Sequence, residues 1–227
     1  MNRNRTLIAS TIALAGLGAG LAGFGLRGSP IEVVPATTMA ALETNTGTNA
    51  GLTTETYTVD PVHTNVIFKI RHGSVTNFYG RFNQVDGTID FDSKDITNSS
   101  LSFKIPVSSV DTNSKTRDGH IKDAEFFNAR QFKDITFESS SISEAENGEY
   151  TLTGELTLHG ITKEINATLA EVRTGTFRDR PVLGFEARFA IQRSDFEIMK
   201  YLAEDLSDNG PLGNTVEIIV AVEAGIQ

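Results

Sequence analysis

From residue 55 onward, apolar and polar positions alternate with a period of two. Leu101, Phe103, Ile105 and Val107 are spaced by Ser102, Lys104 and Pro106, and Ile135 and Phe137 by Thr136. Leu152, Gly154, Leu156 and Leu158 form one face, and Ile161, Ile165, Ala167 and Leu169 follow a His159-Gly160 turn. Leu183, Phe185, Ala187, Phe189 and Ile191 make a further face, and Val216, Ile218, Val220 and Val222 the last. With strands near 56–60, 64–72 and 80–91, the pattern predicts eight or nine short strands separated by turn residues. One-sided alternation means antiparallel sheet with one wet face. About eight such strands close into a barrel wide enough for side chains or one small ligand. A sandwich fits the same alternation.

Two stretches break the rhythm. Asp111 to Lys133 is long, charged and punctuated by Gly119, and predicts a short helix after Asp123 as N-cap. Phe196 to Leu206 places Met199, Leu202, Ala203 and Leu206 at helical spacing before Asn209-Gly210-Pro211. Excursions of this length between barrel strands serve as lids or as plugs of a barrel end.

The N-terminus is of another kind. Arg3 and Arg5 precede twenty uncharged residues, Leu7 to Leu26, the pattern of an export segment. As a helix this stretch also matches a hydrocarbon core of ~30 Å, although Gly16, Gly18, Gly20, Gly23 and Gly25 dilute it. Residues 1–27 are therefore expected to be a signal peptide or an N-terminal membrane anchor, with residues 7–26 as the tether. Either outcome puts the rest of the chain outside the cytoplasm, in the periplasm or tethered facing it. Residues 28–54, rich in Thr, Ala, Gly and Asn with Pro30 and Pro35, read as a flexible linker, leaving 55–227 as the folded domain.

Composition narrows the function classes. The chain has no cysteine, which excludes disulfides, thiol catalysis, thiolate metal sites and an acylated lipoprotein cysteine. Net charge is −9; residues 1–54 hold three arginines against two glutamates, +1, so the domain carries −10. Such a surface repels phosphate backbones and anionic headgroups, so nucleic acid is not an expected partner.

Candidate chemistry is sparse. Within one uninterrupted strand, His63 and His72 would point to opposite faces, and no H-x-H or H-x-x-x-H pair starts a metal site. His159 falls in a hairpin turn, where exposure is expected, so no metal is predicted. No G-x-S-x-G elbow or glycine-rich phosphate loop is present. Asp118 beside Arg117 reads as a loop-structuring ion pair, with a catalytic element as the alternative. The expectation is a binding protein rather than an enzyme. Of 14 phenylalanines, 13 lie beyond the export segment, with no tryptophan. Phe68, Phe82, Phe103, Phe137, Phe185 and Phe189 fall on the apolar faces of separate strands. Phe126 and Phe127 come from the long loop. They fill a core, or they line a lumen without polar atoms.

Ordered landmarks run from Tyr57-Thr-Val-Asp60 with His63 to Val66-x-Phe68-x-Ile70-x-His72, then Gly80-Arg81-Phe82 and Asp86-Gly87-Thr88-Ile89. Ser109-Val110-Asp111-Thr112, Arg117-Asp118-x-His120-Ile121, Phe126-Phe127 and Ile135-x-Phe137 follow, then Gly154-Glu155-Leu156-Thr157-Leu158-x-Gly160-Ile161-Thr162-Lys163 and Arg193-Ser194-Asp195-Phe196. Across about Glu55 to Glu223 this set resembles the YceI-like family. The resemblance implies an antiparallel eight-stranded, lipocalin-like all-β barrel with a short helix and loop as lid. It further implies a bound isoprenoid-type amphiphile, such as an isoprenoid quinone or polyprenyl phosphate, in place of a cofactor. Phe68, Ile70, Phe82, Phe103, Ile105, Phe126, Phe127, Phe137, Leu156, Phe185 and Phe189 would line the lumen. His72, Arg117, His120 and Arg193 would meet the headgroup, arginine by bidentate contact to phosphate. A hydrolase or isomerase acting on lipid in the same cavity, and an envelope stress-related structural protein with a closed barrel, are the alternatives. Oligomeric state is open, a dimer included. Glu197 stands where the family usually has glycine, a change expected to alter the lid or narrow the lumen entrance.

Overall fold

The computed structural model describes residues 54–226; the expected export segment, residues 1–27, and all but the last residue of the expected linker lie outside them. The strands are β1 (Thr54–Val59), β2 (Asn65–His72), β3 (Thr76–Phe82), β4 (Asp86–Asp92), β5 (Ser100–Pro106) and β6 (Val110–Asp111). After helix α1 (Lys115–Lys122) come β7 (Asp134–Glu144), β8 (Tyr150–Leu158), β9 (Ile161–Phe177), β10 (Arg180–Gln192) and β11 (Leu212–Gly225).

These segments form eight staves. β1 and β2 lie end to end along β11, which pairs Val59 with Ala224 and Ile70 with Val216. β3 and β4 continue one another beside them, and β6 continues β5 in the same way. β7 to β11 follow as an antiparallel meander, and the contact of β1 with β11 closes the ring. The fold is thus the closed eight-stranded antiparallel barrel expected from the sequence. Breaks at 60–64, 83–85 and 107–109 sit side by side, bridged by Asn83 N–H donating to the Ser109 carbonyl at 3.0 Å. Three neighbouring staves therefore bend at one level.

Turn chemistry fixes the register. His159 and Gly160 both have positive φ, 54° and 76°, the geometry of a tight two-residue hairpin. Gly160 also packs under Phe132, whose Cε1 lies 2.3 Å from where a Cβ would stand. His159 departs from the expected exposure. Its Nδ1 lies 2.9 Å from the Phe196 carbonyl oxygen and its ring meets Phe132 edge-on at 5.0 Å.

Two further expectations change. The helix precedes Asp123 rather than following it: Ser114 is the N-cap, its hydroxyl accepting from Arg117 N–H, and Asp123 is the C-cap. Asp118 in the first turn and His120 and Lys122 in the last suit the helix dipole in this register. The stretch 196–206 is not an α-helix. A single 3-10 turn, Arg193–Phe196, is followed by turns with positive φ at Glu197, Tyr201 and Leu206.

The interior divides into two halves. At the end where β1 begins and β11 finishes, Tyr57, Ile89, Leu101, Leu169, Leu183 and Ala224 pack to 4 % exposure or less. Along β10 and β11, the inward residues nearer the other end, Phe189, Ile191, Val216, Ile218 and Val220, are only half-buried. The same alternation fills one half and leaves the other hollow.

Candidate functional site

The hollow half is a cavity of about 890 Å³ that opens at the end carrying α1 and the 193–211 loop. Phe68, Ile70, Phe82, Phe103, Ile105, Phe126, Phe127, Phe137, Leu156, Phe185 and Phe189 all line it, as do His72, Arg117, His120 and Arg193. The residues singled out from the sequence thus meet around one space. Val66, Leu152, Ala167 and Ala187, which the sequence placed on apolar strand faces, line it too; sequence reasoning missed Phe78, Ile121 and Tyr201 near its mouth. Strand parity would have found Phe78, four positions from Phe82 on the same face of β3. Tyr201 is in a loop without period and gave no signal.

Toward the mouth, the rings of Phe68, Phe82 and Phe127 lie along the wall rather than across the bore. Phe68 extends over its cross-strand partner Gly80, where a Cβ would fall 2.2 Å from the ring's Cζ. Phe82 stacks obliquely on Phe68 at 5.9 Å, and Phe127 on Phe82 at 5.9 Å, so one file of rings runs from the wall to the loop.

Polarity is graded along the cavity. Its polar side chains belong to the mouth: His72 and Thr76 at strand ends, Ser114, Thr116, Arg117 and His120 at α1, and Asp123 and Glu125 just after it. Thr136 lies near the start of β7, also at this end. The deep lining by Val66, Phe103, Leu152, Ala167 and Phe185 is apolar. Such a space accepts a hydrocarbon chain below and a polar group above.

The candidate headgroup residues differ in what they have free to offer. Arg193 is buried, and burial pulls its pKa down to about 10, so it stays charged near neutrality. Its Nε donates to the Gly213 carbonyl at 2.8 Å, one terminal nitrogen to the Ile198 and Lys200 carbonyls at 3.2 and 3.1 Å, and the other to Leu212 at 3.2 Å. Four of a guanidinium's five N–H groups are thereby spent on backbone. The headgroup reading of Arg193 is therefore corrected: it is the pin of the 193–211 loop. Arg117 is exposed, lies over Phe78 at 4.4 Å, and donates through Nε and one terminal nitrogen to Thr112 Oγ1 and O at 3.0 and 2.6 Å. His72 and His120 are exposed at the rim.

Arg117 and Asp118 do not pair with each other. Asp118 accepts from Thr112 N–H and hydroxyl at 2.8 and 2.5 Å, so the buried Thr112 is the hub that holds both. Glu197 is exposed, with φ 56°, and does not line the cavity. Its carboxylate leaves the lumen entrance unnarrowed, and the left-handed backbone explains why glycine suits that bend.

The histidines do not converge. Among the described residues, the one group of three His or carboxylate ligands within 4.8 Å is Asp60, His63 and Glu223, at the bend between β1 and β2. His63 Nδ1 pairs with Asp60 Oδ2 at 2.8 Å and stands 3.8 Å from Glu223. The hydrogen bond to Asp60 raises the His63 pKa, and the same bond lowers that of Asp60. This exposed ion pair is remote from the cavity lining.

Comparison with known proteins agrees with the barrel and its landmarks. The YceI-like domain family matches residues 57–224. Protein YceI of Salmonella newport is 38% identical over 169 residues, covering 73% of this chain and 82% of that protein. The crystal structure of a Campylobacter jejuni YceI protein is 28% identical with a TM-score of 0.59, over 67% of this chain and 87% of that one. Two more distant structures share the fold. Burkholderia cenocepacia BcnA is 22% identical with a TM-score of 0.62, over 73% of this chain and 98% of that one. A polyisoprenoid binding domain from Saccharophagus degradans is 14% identical with a TM-score of 0.57, over 75% of this chain and 98% of that one. With a match that runs from the first full barrel strand to the last, the chain belongs to the YceI-like family.

Proposed function

We propose that this protein is a non-enzymatic, extracytoplasmic carrier that holds an isoprenoid or similar amphiphilic lipid, chain inward and headgroup at the mouth. The observation that carries this reading is the grading of one cavity from an apolar depth to a polar rim. Burial contributes ~0.8 kcal/mol per methylene, so a few isoprene units offset an association cost of ~4–15 kcal/mol. The fold shared with a polyisoprenoid binding domain supports the ligand class. At the rim, Arg117, His72 and His120 are the groups for a phosphate or quinone head, with Asp123 and Glu125 opposing excess negative charge. The Arg3/Arg5 and Leu7–Leu26 pattern supports export.

Calorimetric titration with an isoprenoid quinone and, separately, a polyprenyl phosphate tests the reading. Saturable binding of one lipid per chain with a negative heat-capacity change is expected, the mark of apolar burial. Absence of saturable binding for both would overturn it.

A further inference from the structure

The cavity has a floor. Phe103 on β5 and Phe185 on β10 meet edge to face, with ring centroids 6.5 Å apart and planes at 76°. Three staves separate these strands in either direction around the ring, so the two rings reach each other from opposite walls. Both line the cavity, whereas Leu101 and Leu183, the next inward residues beyond them, do not and are packed at 4 % and 1 % exposure. Space ends where the two rings touch.

The floor is seated from the side and clear from above. Phe103 faces Gly87 across the β4–β5 pair, and a Cβ there would lie 2.7 Å from its ring. That glycine lets the root of the ring sit against the wall while its edge reaches Phe185. Toward the mouth, the next inward residue on β10 is Ala187, and Ala167 on β9 is equally small. Ala187 directly above Phe185, and Ala167 one inward step further up β9, leave the deepest part of the bore open.

We propose that the Phe103–Phe185 contact is a chain-length stop that sets the longest aliphatic chain the lumen takes up in full. This rests on the lipid-carrier reading above. A chain growing toward the floor gains buried methylenes; past the floor, further methylenes must fold back or stay at the mouth.

A series of prenyl alcohols of increasing length, titrated against the protein, reads the stop directly. Below the limit, affinity should rise about fourfold per methylene, and beyond it the rise should cease. Phe185→Leu lowers the floor and should move the break to longer chains. Ala187→Leu raises it and should move the break to shorter ones. Phe189→Leu, nearer the mouth, should weaken every member of the series and leave the break in place. If either floor variant does not fold by circular dichroism, the break of the other decides. A wild-type series without a break, or a break unmoved in the folded floor variants, would overturn the stop while leaving the lipid lumen intact. Failure of every prenyl alcohol to bind wild type would overturn the carrier reading itself, and the stop with it.

Discussion

Two loops share the cavity mouth, and they are built on opposite principles. The 193–211 loop wraps around a buried cation: Arg193 binds carbonyls at both its ends, Asn214 joins Ser194 to the Leu206 carbonyl, and Asp208 accepts from Thr215 N–H. It keeps three non-glycine residues at positive φ, a strained path that holds because the surroundings over-determine it. The 112–133 loop is tied at its base by Thr112, but α1 itself buries no residue. The loops touch through an exposed ion pair, Lys200 with Glu125 at 2.5 Å, and through the half-buried Phe126 against Tyr201 at 6.1 Å. A barrel mouth thus has one fixed jaw and one that is cheaper to displace, which suits a site that must admit a lipid without losing its shape.

Breaking the fixed jaw should have the largest effect. Arg193→Met leaves buried carbonyls without donors and should cost about 3 kcal/mol or more of stability in urea unfolding. A loss below ~1 kcal/mol would make the two jaws equivalent. Next, Thr112→Val removes a buried hydroxyl that serves both Asp118 and Arg117. About 1–2 kcal/mol should be lost locally, and release of a bound prenyl alcohol should quicken roughly tenfold. Unchanged release would place the moving part elsewhere.

Glu197→Gly should stabilise the fixed jaw by up to ~1 kcal/mol, because the left-handed backbone costs an L-residue about that much. The smallest effect expected is at the His63–Asp60 pair, away from both jaws. The raised His63 pKa contributes stability that is full below the ordinary 6.5 and fades as pH rises through its folded value. Asp60, lowered, contributes above 3.8 and loses that as pH falls through its own folded value. His63→Gln should flatten both limbs of the stability profile without altering lipid release.

Much of this was legible in the sequence because strands report themselves. Parity alone placed Phe103, Phe185 and Phe189 on inward faces, and the ordered landmarks fixed the barrel. Parity could not separate Phe189, half-buried beside open space, from Leu183, packed at 1 % exposure, since the same alternation serves a filled and a hollow interior. The loops were read less well. Asp123 and Ser114 are both good caps, and only the charges flanking the helix ends distinguish them. Met199, Leu202, Ala203 and Leu206 share helical spacing, yet tertiary ties to Arg193 and Asn214 impose left-handed turns instead. An arginine beside a polar loop reads as a surface group; that Arg193 is buried depends on partners up to 20 positions away, which no local pattern shows.

The central claim, a lumen occupied by a lipid chain, is tested most directly by native mass spectrometry of the protein purified without detergent from a bacterial host, followed by organic extraction. A discrete added mass per chain, identified on extraction as a prenyl or similar amphiphilic lipid, is the predicted result. A chain of bare polypeptide mass that also fails to take up a quinone or polyprenyl phosphate would contradict it.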